Sequence, residues 1–271
     1  RDTEPRRDHN GVLRAPINYK EPNGMFGSPS GAIASTDAIY LIPAIKNGLV
    51  VKDMHEVSTI KKNADHDYTI SAIDHNNGKK CSIEASIVIM AAGTLNTLKI
   101  LMSSREKGDL YGMSALGQGY GANGDNICQW HVRDGNQYDT TNGTPVHGRV
   151  KIKGFEDVGY TIQVVADPPP VPKFLANKAR ASVCRNFGLV TMGQDKADGV
   201  VSYNKGRISI DYDVSNDPVY TKLQASLTSL EEASGAKISY EKKGVFTVHS
   251  MGGARISDSS EEGVANGHGE C

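Results

Sequence analysis

The chain has 271 residues, with 30 Lys+Arg against 31 Asp+Glu and a formal charge of −1. That balance gives no general attraction to nucleic acid or to an anionic membrane. No run reaches the ~18 apolar residues of a membrane-spanning helix, and RDTEPRRDHN at the start holds no apolar leader core.

A hydrophobic content of 38%, gathered in several dense runs, argues against full disorder. The four cysteines (81, 128, 184 and 271) form no C-x-x-C pair. A zinc ribbon or thioredoxin motif is therefore excluded on spacing, and scattered reduced thiols are expected. No histidines pair at ligand spacing, so no metal site is expected. The chain does not begin with Met and stops inside the glycine-rich GVANGHGEC, which reads as a piece of a longer protein.

Residues 1–34 are rich in Pro, Gly and Asn and read as an irregular lead-in. Ser35 or Thr36 is a good N-cap for a helix reaching Asn47, with Gly48 just past its end and Pro43 as a flaw that kinks or shortens it. Three strand-like runs follow: Leu49–Ile60, Tyr68–Asp74 before the Asn77-Gly78 turn, and Cys81–Met90. The last ends in the β-branched SIVIM, typical of strands covered on both faces. Ala91-Ala92-Gly93 follows at once, then a helical pattern with Leu95, Leu98, Leu101 and Met102. Residues 107–148 are dominated by Gly and Asn, with one strand near Ile127–Val132. Val146–Val165 alternates well enough for two strands, halted by Pro168-Pro169-Pro170. Val183–Met192 and Arg207–Tyr212 read as further strands. Asp217-Pro218 starts a helix with a buried stripe of Val219, Leu223, Leu227 and Leu230, ended by Gly235.

Three units carry candidate chemistry. Small residues at the strand–AAG–helix turn let backbone approach a ligand, and the helix N–H groups behind them favour phosphate. The same residues equally suit plain α/β packing. The loop Gly117–Asn126 (GQGYGANGDN) can lie flat against a planar ligand or be a flexible surface loop. In Val248–Arg255 (VHSMGGAR), His249 before a glycine pair can be a proton acceptor on a tight turn or a hydrogen-bonded structural histidine.

Taken in order, the stretches STDAIYLIPAIKNGLVVKDMHEVSTI, SIVIMAAGTLNTLKILMSSR, LGQGYGANGDN and VHSMGGARISDSSEEGVANGHGEC resemble the glucose–methanol–choline (GMC) oxidoreductase family, and within it the cholesterol-oxidase-like branch. The likeness spans nearly all of residues 30–271. It implies an α/β chain, α+β overall: a partial FAD-binding Rossmann-like domain over residues 1–126, an antiparallel-sheet substrate domain over 127–245, and a return segment over 246–271. It implies FAD as cofactor. It also implies oxidation of a sterol-like or other bulky alcohol to a carbonyl, with dioxygen or another acceptor taking the electrons. By the same likeness Val57 meets the adenine, Ala91, Ala92 and Gly93 form the turn beside FAD, and Asn123, Gly124, Asp125 and Asn126 lie along the flavin. His249 is the active-site histidine that holds the substrate hydroxyl and assists its deprotonation. Partners beyond the substrate and an electron acceptor are not implied, and the compartment is unassigned.

The departures are specific. The Gly-rich βαβ unit of the family and the segment after the return stretch are missing. HSMGG stands for HPxGG, and Gln163 or Val165 stands near the place of the acid of the sterol branch, with Asp167 in reach only if the register shifts. Gln163 is assigned to substrate, but a carboxamide is no base, which puts sterol isomerisation in doubt. A non-enzymatic binding module that kept the fold is the alternative reading. Without the Gly-rich pyrophosphate loop, the purified 271-residue chain is expected to bind FAD weakly or not at all; stoichiometric flavin absorbance would overturn this.

Overall fold

The computed structural model describes residues 4–9, 11–16, 31–32, 34–65, 67–132, 146–156, 158–163, 172, 174–175, 186–242 and 244–271. In chain order its elements are β1 (Arg6–Arg7), β2 (Leu13–Arg14), a π-helical turn (Asp37–Leu41), α1 (Ile42–Lys46), β3 (His55–Lys62), β4 (Tyr68–Asp74), β5 (Lys79–Ala85), α2 (Thr94–Glu106), β6 (Gln118–Tyr120), β7 (Asn126–His131), β8 (Val146–Val150), β9 (Val158–Gln163), β10 (Asn186–Gly193), β11 (Gly199–Asn204), β12 (Arg207–Asp211), α3 (Pro218–Ser234) and β13 (Lys237–Tyr240). The architecture is mixed α/β, with several antiparallel sheets and few helices. It divides into two compact units.

The first unit combines Arg1–Val51, Asp125–Gln194 and Pro218–Phe246. Its main sheet runs in the order β13-β7-β10-β9-β8, with every neighbour antiparallel. Pleat alternation sends Cys128, Tyr160, Leu189 and Ile238 to one face, where they pack with Leu223 and Leu227 of α3. These two leucines sit four apart on the helix, so one stripe meets the sheet. Tyr160 and Ser226 hydrogen-bond inside this layer, which satisfies a buried hydroxyl pair. α1 and the π-helical turn are the expected Thr36–Asn47 helix in altered form. Pro43 has no N–H to give, and the Ile42 N–H instead reaches Asp37 O, five residues back.

Cys128 lies wholly within the α3-facing core. Burial pushes its thiol from 9.0 up to about 12. A raised folded-state value means the neutral thiol is favoured by folding. Its contribution is therefore complete below about pH 9 and fades as pH rises toward 12. Because only the thiolate is nucleophilic, Cys128 should stay unlabelled by iodoacetamide at pH 8 in the native protein and become labelled in guanidinium. Peptide mapping reads the difference against half-buried Cys81.

The second unit combines Lys52–Gly124, Asp195–Asp217 and Thr247–Cys271. It holds the meander β3-β4-β5, the sheet β12-β11-β6, and α2 packed against both β3 and the β11/β12 strands. Sandwiched in this way, α2 buries Leu98, Ile100, Leu101, Met102, Ser103 and Ser104, more of its circumference than one apolar stripe. Leu98, Leu101 and Met102 join Ala115, Leu116, Tyr120, Val201 and Val264 in the core. On the other side the Ser104 hydroxyl donates to Ile100 O at 2.7 Å and accepts from the Ile60 N–H at 2.9 Å. That satisfies a β3 amide beside the bulge between Val57 and Thr59.

Three expectations are corrected. The strand expected over Leu49–Ile60 begins only at His55. The strand expected over Cys81–Met90 stops at Ala85. Ser86–Met90 joins no ladder among the described residues, and Ile87 and Ile89 are 80% and 84% exposed. β-branched composition favours extended chain, but a strand exists only where a neighbour supplies its hydrogen bonds. The glycine-rich run is no surface loop: Gln118–Tyr120 is β6, paired with β11, and Ala122 is fully buried. β1, β2, β6, β11 and β13 are strands absent from the sequence reading, the first two lying in the expected irregular lead-in. Val165, Asp167 and the Pro168–Pro170 stop lie outside the described residues, as does the side chain of Gln163, whose backbone ends β9 opposite Gly188.

Candidate functional site

The site is built within the second unit from the N-terminus of α2. Gly93 has φ +76 and precedes Thr94, the first residue of that 13-residue helix. The first helical bond runs from Thr97 N–H to Gly93 O at 2.9 Å. The N–H groups of the turn before it have no helical acceptor, and Gly93 has no side chain to cap them. A Cβ at Gly93 would meet nothing within 4 Å. Ala91, Ala92 and Gly93 are all exposed. The turn is therefore open on its outer side.

The return segment is fixed against this turn. Thr94 Oγ1 donates to Ser250 O at 2.7 Å, and Ser250 Oγ lies 3.2 Å from Tyr120 OH. Gly121 and Met251 exchange both backbone hydrogen bonds, at 3.0 and 3.1 Å. Gly117 N–H donates to Gly253 O at 2.7 Å. The glycine pair permits this closeness. A Cβ on Gly252 (φ +81) would sit 1.8 Å from Gly119 O, and one on Gly253 (φ +75) 2.4 Å from Leu98 Cδ1. The result is an open cleft of about 380 Å³ lined by Gly93, Thr94, Asn96, Thr247, Val248 and Ser250, among others. His249 is exposed between the two cleft residues Val248 and Ser250, and its backbone N–H donates to Thr247 Oγ1 at 3.0 Å.

Of the residues singled out by the sequence, Ala92 and Gly93 of the turn and the neighbours of His249 thus meet at one cleft. Val57 is elsewhere in the unit, half-buried in β3 opposite Ala72. Asn123 (φ +58) and Gly124 (φ +59) end a tight turn in the second unit, whereas Asp125 and Asn126 begin a stretch of the first. Both of the latter are buried. Asn126 Nδ2 donates to Glu241 O at 2.9 Å, and its Oδ1 is buried with no partner among the described residues. Gln163 is a first-unit strand residue.

The sequence reading missed Thr94 and Ser250, the hydroxyl pair adjacent to AAG and inside HSMGG. It also missed Asp195, which holds the glycine-rich segment by accepting from Ala122 N–H at 2.6 Å and from Tyr212 OH at 2.9 Å. The hydroxyl residues could have been noticed as neighbours of both motifs. Asp195 lies 73 residues from Ala122 and leaves no local trace. Among the described residues no group of three or more His, Cys, Asp and Glu is placed to hold a metal, and no helix is long and apolar enough to cross a membrane.

An uncapped helix N-terminus behind an open glycine turn fits an anionic, nucleotide-type ligand. Residues 13–107 match the family model of the GMC oxidoreductases. The match makes this segment similar to the N-terminal domain of that family. The N-terminal domain that this model describes is the FAD-binding, Rossmann-like region of that family, whose members are FAD-dependent oxidoreductases. No curated protein matches the chain. Held against the GMC match, the residues present fit FAD at the Gly93 turn: that turn lies inside the matched segment and offers backbone donors without a side chain in the way.

Proposed function

We propose that the chain serves an FAD-dependent oxidation of an alcohol to a carbonyl, with His249 positioned to take the hydroxyl proton of the substrate. The observation that carries this reading is the shared cleft. The turn suited to the nucleotide and the segment bearing His249 line it together, tied by the Thr94–Ser250 hydrogen bond. When bound, FAD supplies the acceptor for the hydride of the alcohol carbon. The chain supplies the rest. Thr94, Leu95 and Asn96 present backbone N–H groups at the helix start. The glycine pair and Tyr120 fix the backbone around Ser250, and so hold the approach of His249. A neutral imidazole is suited to accept a proton near neutral pH.

Val57, Ala91, Ala92, Gly93, Asn123, Gly124, Asp125 and Asn126 are the cofactor contacts of this proposal, and Gln163 is a substrate contact. A bulky, sterol-like alcohol is the substrate class. Dioxygen or another acceptor completes the cycle. The test is product formation: the protein, supplied with excess free FAD to offset the weak binding expected without a Gly-rich pyrophosphate loop, is incubated with a panel of primary, secondary and sterol alcohols and an artificial acceptor, and carbonyl products are sought by mass spectrometry. Alcohol-dependent acceptor reduction with a matching carbonyl is expected. A folded, flavin-loaded protein that converts no alcohol in the panel would leave the binding-module reading in its place.

A further inference from the structure

We propose that Ser239, His131 and Asn186, on the open face of the five-stranded sheet of the first unit, form an acyl-transfer group that acts on small carboxylic esters: Ser239 as nucleophile, His131 as general base and Asn186 as the acceptor that orients the imidazole.

The strand register brings the three together. Asn186 of β10 is directly opposite His131 of β7. On the other side of β7, Lys237 of β13 is opposite His131, and Ser239 is opposite Gln129. Two residues along a strand return a side chain to the same face. Cys128, Leu189 and Ile238, at intervening positions, pack on α3. His131, Gln129, Lys237, Ser239 and Asn186 therefore share the opposite face. Ser239 and Gln129 are exposed there, and His131 and Asn186 are half-buried.

The hydrogen bonds fix the chemistry. His131 Nδ1 lies 2.6 Å from Asn186 Oδ1, and His131 Nε2 lies 2.8 Å from Ser239 Oγ. A carboxamide oxygen only accepts, so Nδ1 carries the proton. In the neutral imidazole Nε2 then holds the lone pair, and the Ser239 hydroxyl donates to it. A hydroxyl bonded to a base that is itself oriented by a third group is the signature of an activated nucleophile. The face also offers donors for a developing oxyanion. The Gln129 carboxamide stands directly across the ladder from Ser239, with cross-strand Cβ atoms about 4.5–5.5 Å apart, and the Lys237 ammonium adds a positive charge opposite His131. An open strand face suits unhindered esters.

The step balances without a co-reactant other than water. Ser239 Oγ forms a bond to the ester carbonyl carbon while His131 Nε2 takes the hydroxyl proton. The carbon–oxygen bond to the alcohol breaks, and His131 returns the proton to the departing oxygen. Water then adds to the acyl carbon as His131 Nε2 takes its proton; the carbon–oxygen bond to Ser239 breaks, His131 returns the proton to Ser239 Oγ, and the acid is released.

The probe is 4-nitrophenyl acetate with the native 271-residue chain. The expected result is a nitrophenolate burst together with an acetyl group on the peptide that contains Ser239. Ser239→Ala should remove both. His131→Gln should slow acylation on the order of 10²–10⁴-fold with an unchanged far-UV spectrum. Ser239→Cys gives a second readout: alkylation of the introduced thiol by iodoacetamide should slow when His131→Gln is added. Acetylation confined to lysines or the N-terminus of the folded native chain, or an equal burst in Ser239→Ala, would overturn the proposal. Alkylation of the introduced thiol at the same rate with and without His131 would do so independently.

Discussion

Gly252→Ala is expected to destabilise the protein by about 2–5 kcal/mol, combining the ordinary penalty of overpacking with that of a strained left-handed residue. The new Cβ would be 1.8 Å from Gly119 O and 3.2 Å from Tyr120 Cα. Both are backbone atoms of a paired strand and have little freedom to yield. The Gly121–Met251 bridge and the Gly117–Gly253 bond flank the clash, so relief of it opens the staple that holds the His249 segment to α2. Gly206→Ala is the control. Gly206 has φ +86 at the β11–β12 turn, but a Cβ there meets nothing within 4 Å. It should cost only about 1 kcal/mol, from backbone strain alone. Urea melts compare the two variants. Equal midpoints would mean that close approach at Gly252 contributes nothing.

That pair of glycines also shows what a sequence reader can and cannot extract. Gly252-Gly253 marks a place where backbone must come close, and the surroundings of Leu98 and Gly119 explain why. Nothing in the motif says which strand it will meet. The helices were legible because each carries its own signals. Pro218 and Gly235 bracket α3, and its Leu223 and Leu227 meet the sheet as their spacing requires. The β4–β5 hairpin was legible through its turn, where the Asn76 N–H on the Asp74 carboxylate holds that carboxyl below its usual range. β11 and β12 are joined by Lys205-Gly206, both with positive φ, a two-residue hairpin signal that was present and went unread.

Ser86–Met90 failed in the opposite sense. Its residues have the right propensity, but among the described residues it has no pairing neighbour, and exposed Ile87 and Ile89 follow from that. The site divides along the same line. Residues in contiguous motifs, Ala91–Gly93 and Val248–Gly253, were found from sequence. Asp195 was not, because its partners Ala122 and Tyr212 are brought to it only by the fold. The Ser239–His131–Asn186 line was invisible for the same reason, since three strands far apart in sequence must pair in one register before those side chains meet.

His249→Ala is expected to lower kcat of the flavin-loaded protein on alcohol substrates by on the order of 10²–10⁴-fold, the usual cost of losing a positioned acid–base group. Stability should hardly move, within about 0.5 kcal/mol, because the side chain is exposed and the local turn is set by its backbone N–H on Thr247 Oγ1. The split between constants identifies the role. A histidine that moves a proton in the transition state lowers kcat and kcat/KM together, whereas one that only holds the substrate hydroxyl raises KM with kcat intact. Exposure offers a further discriminator: free imidazole can reach the vacated position and should restore part of the rate in His249→Ala. Thr247→Val, which removes the hydroxyl that fixes the His249 backbone, should lower kcat less than His249→Ala and should not respond to imidazole. If His249→Ala turns over within twofold of the unaltered protein while remaining folded and flavin-loaded, the imidazole takes no part in the chemistry. The cleft beside Gly93 would then be a binding feature only.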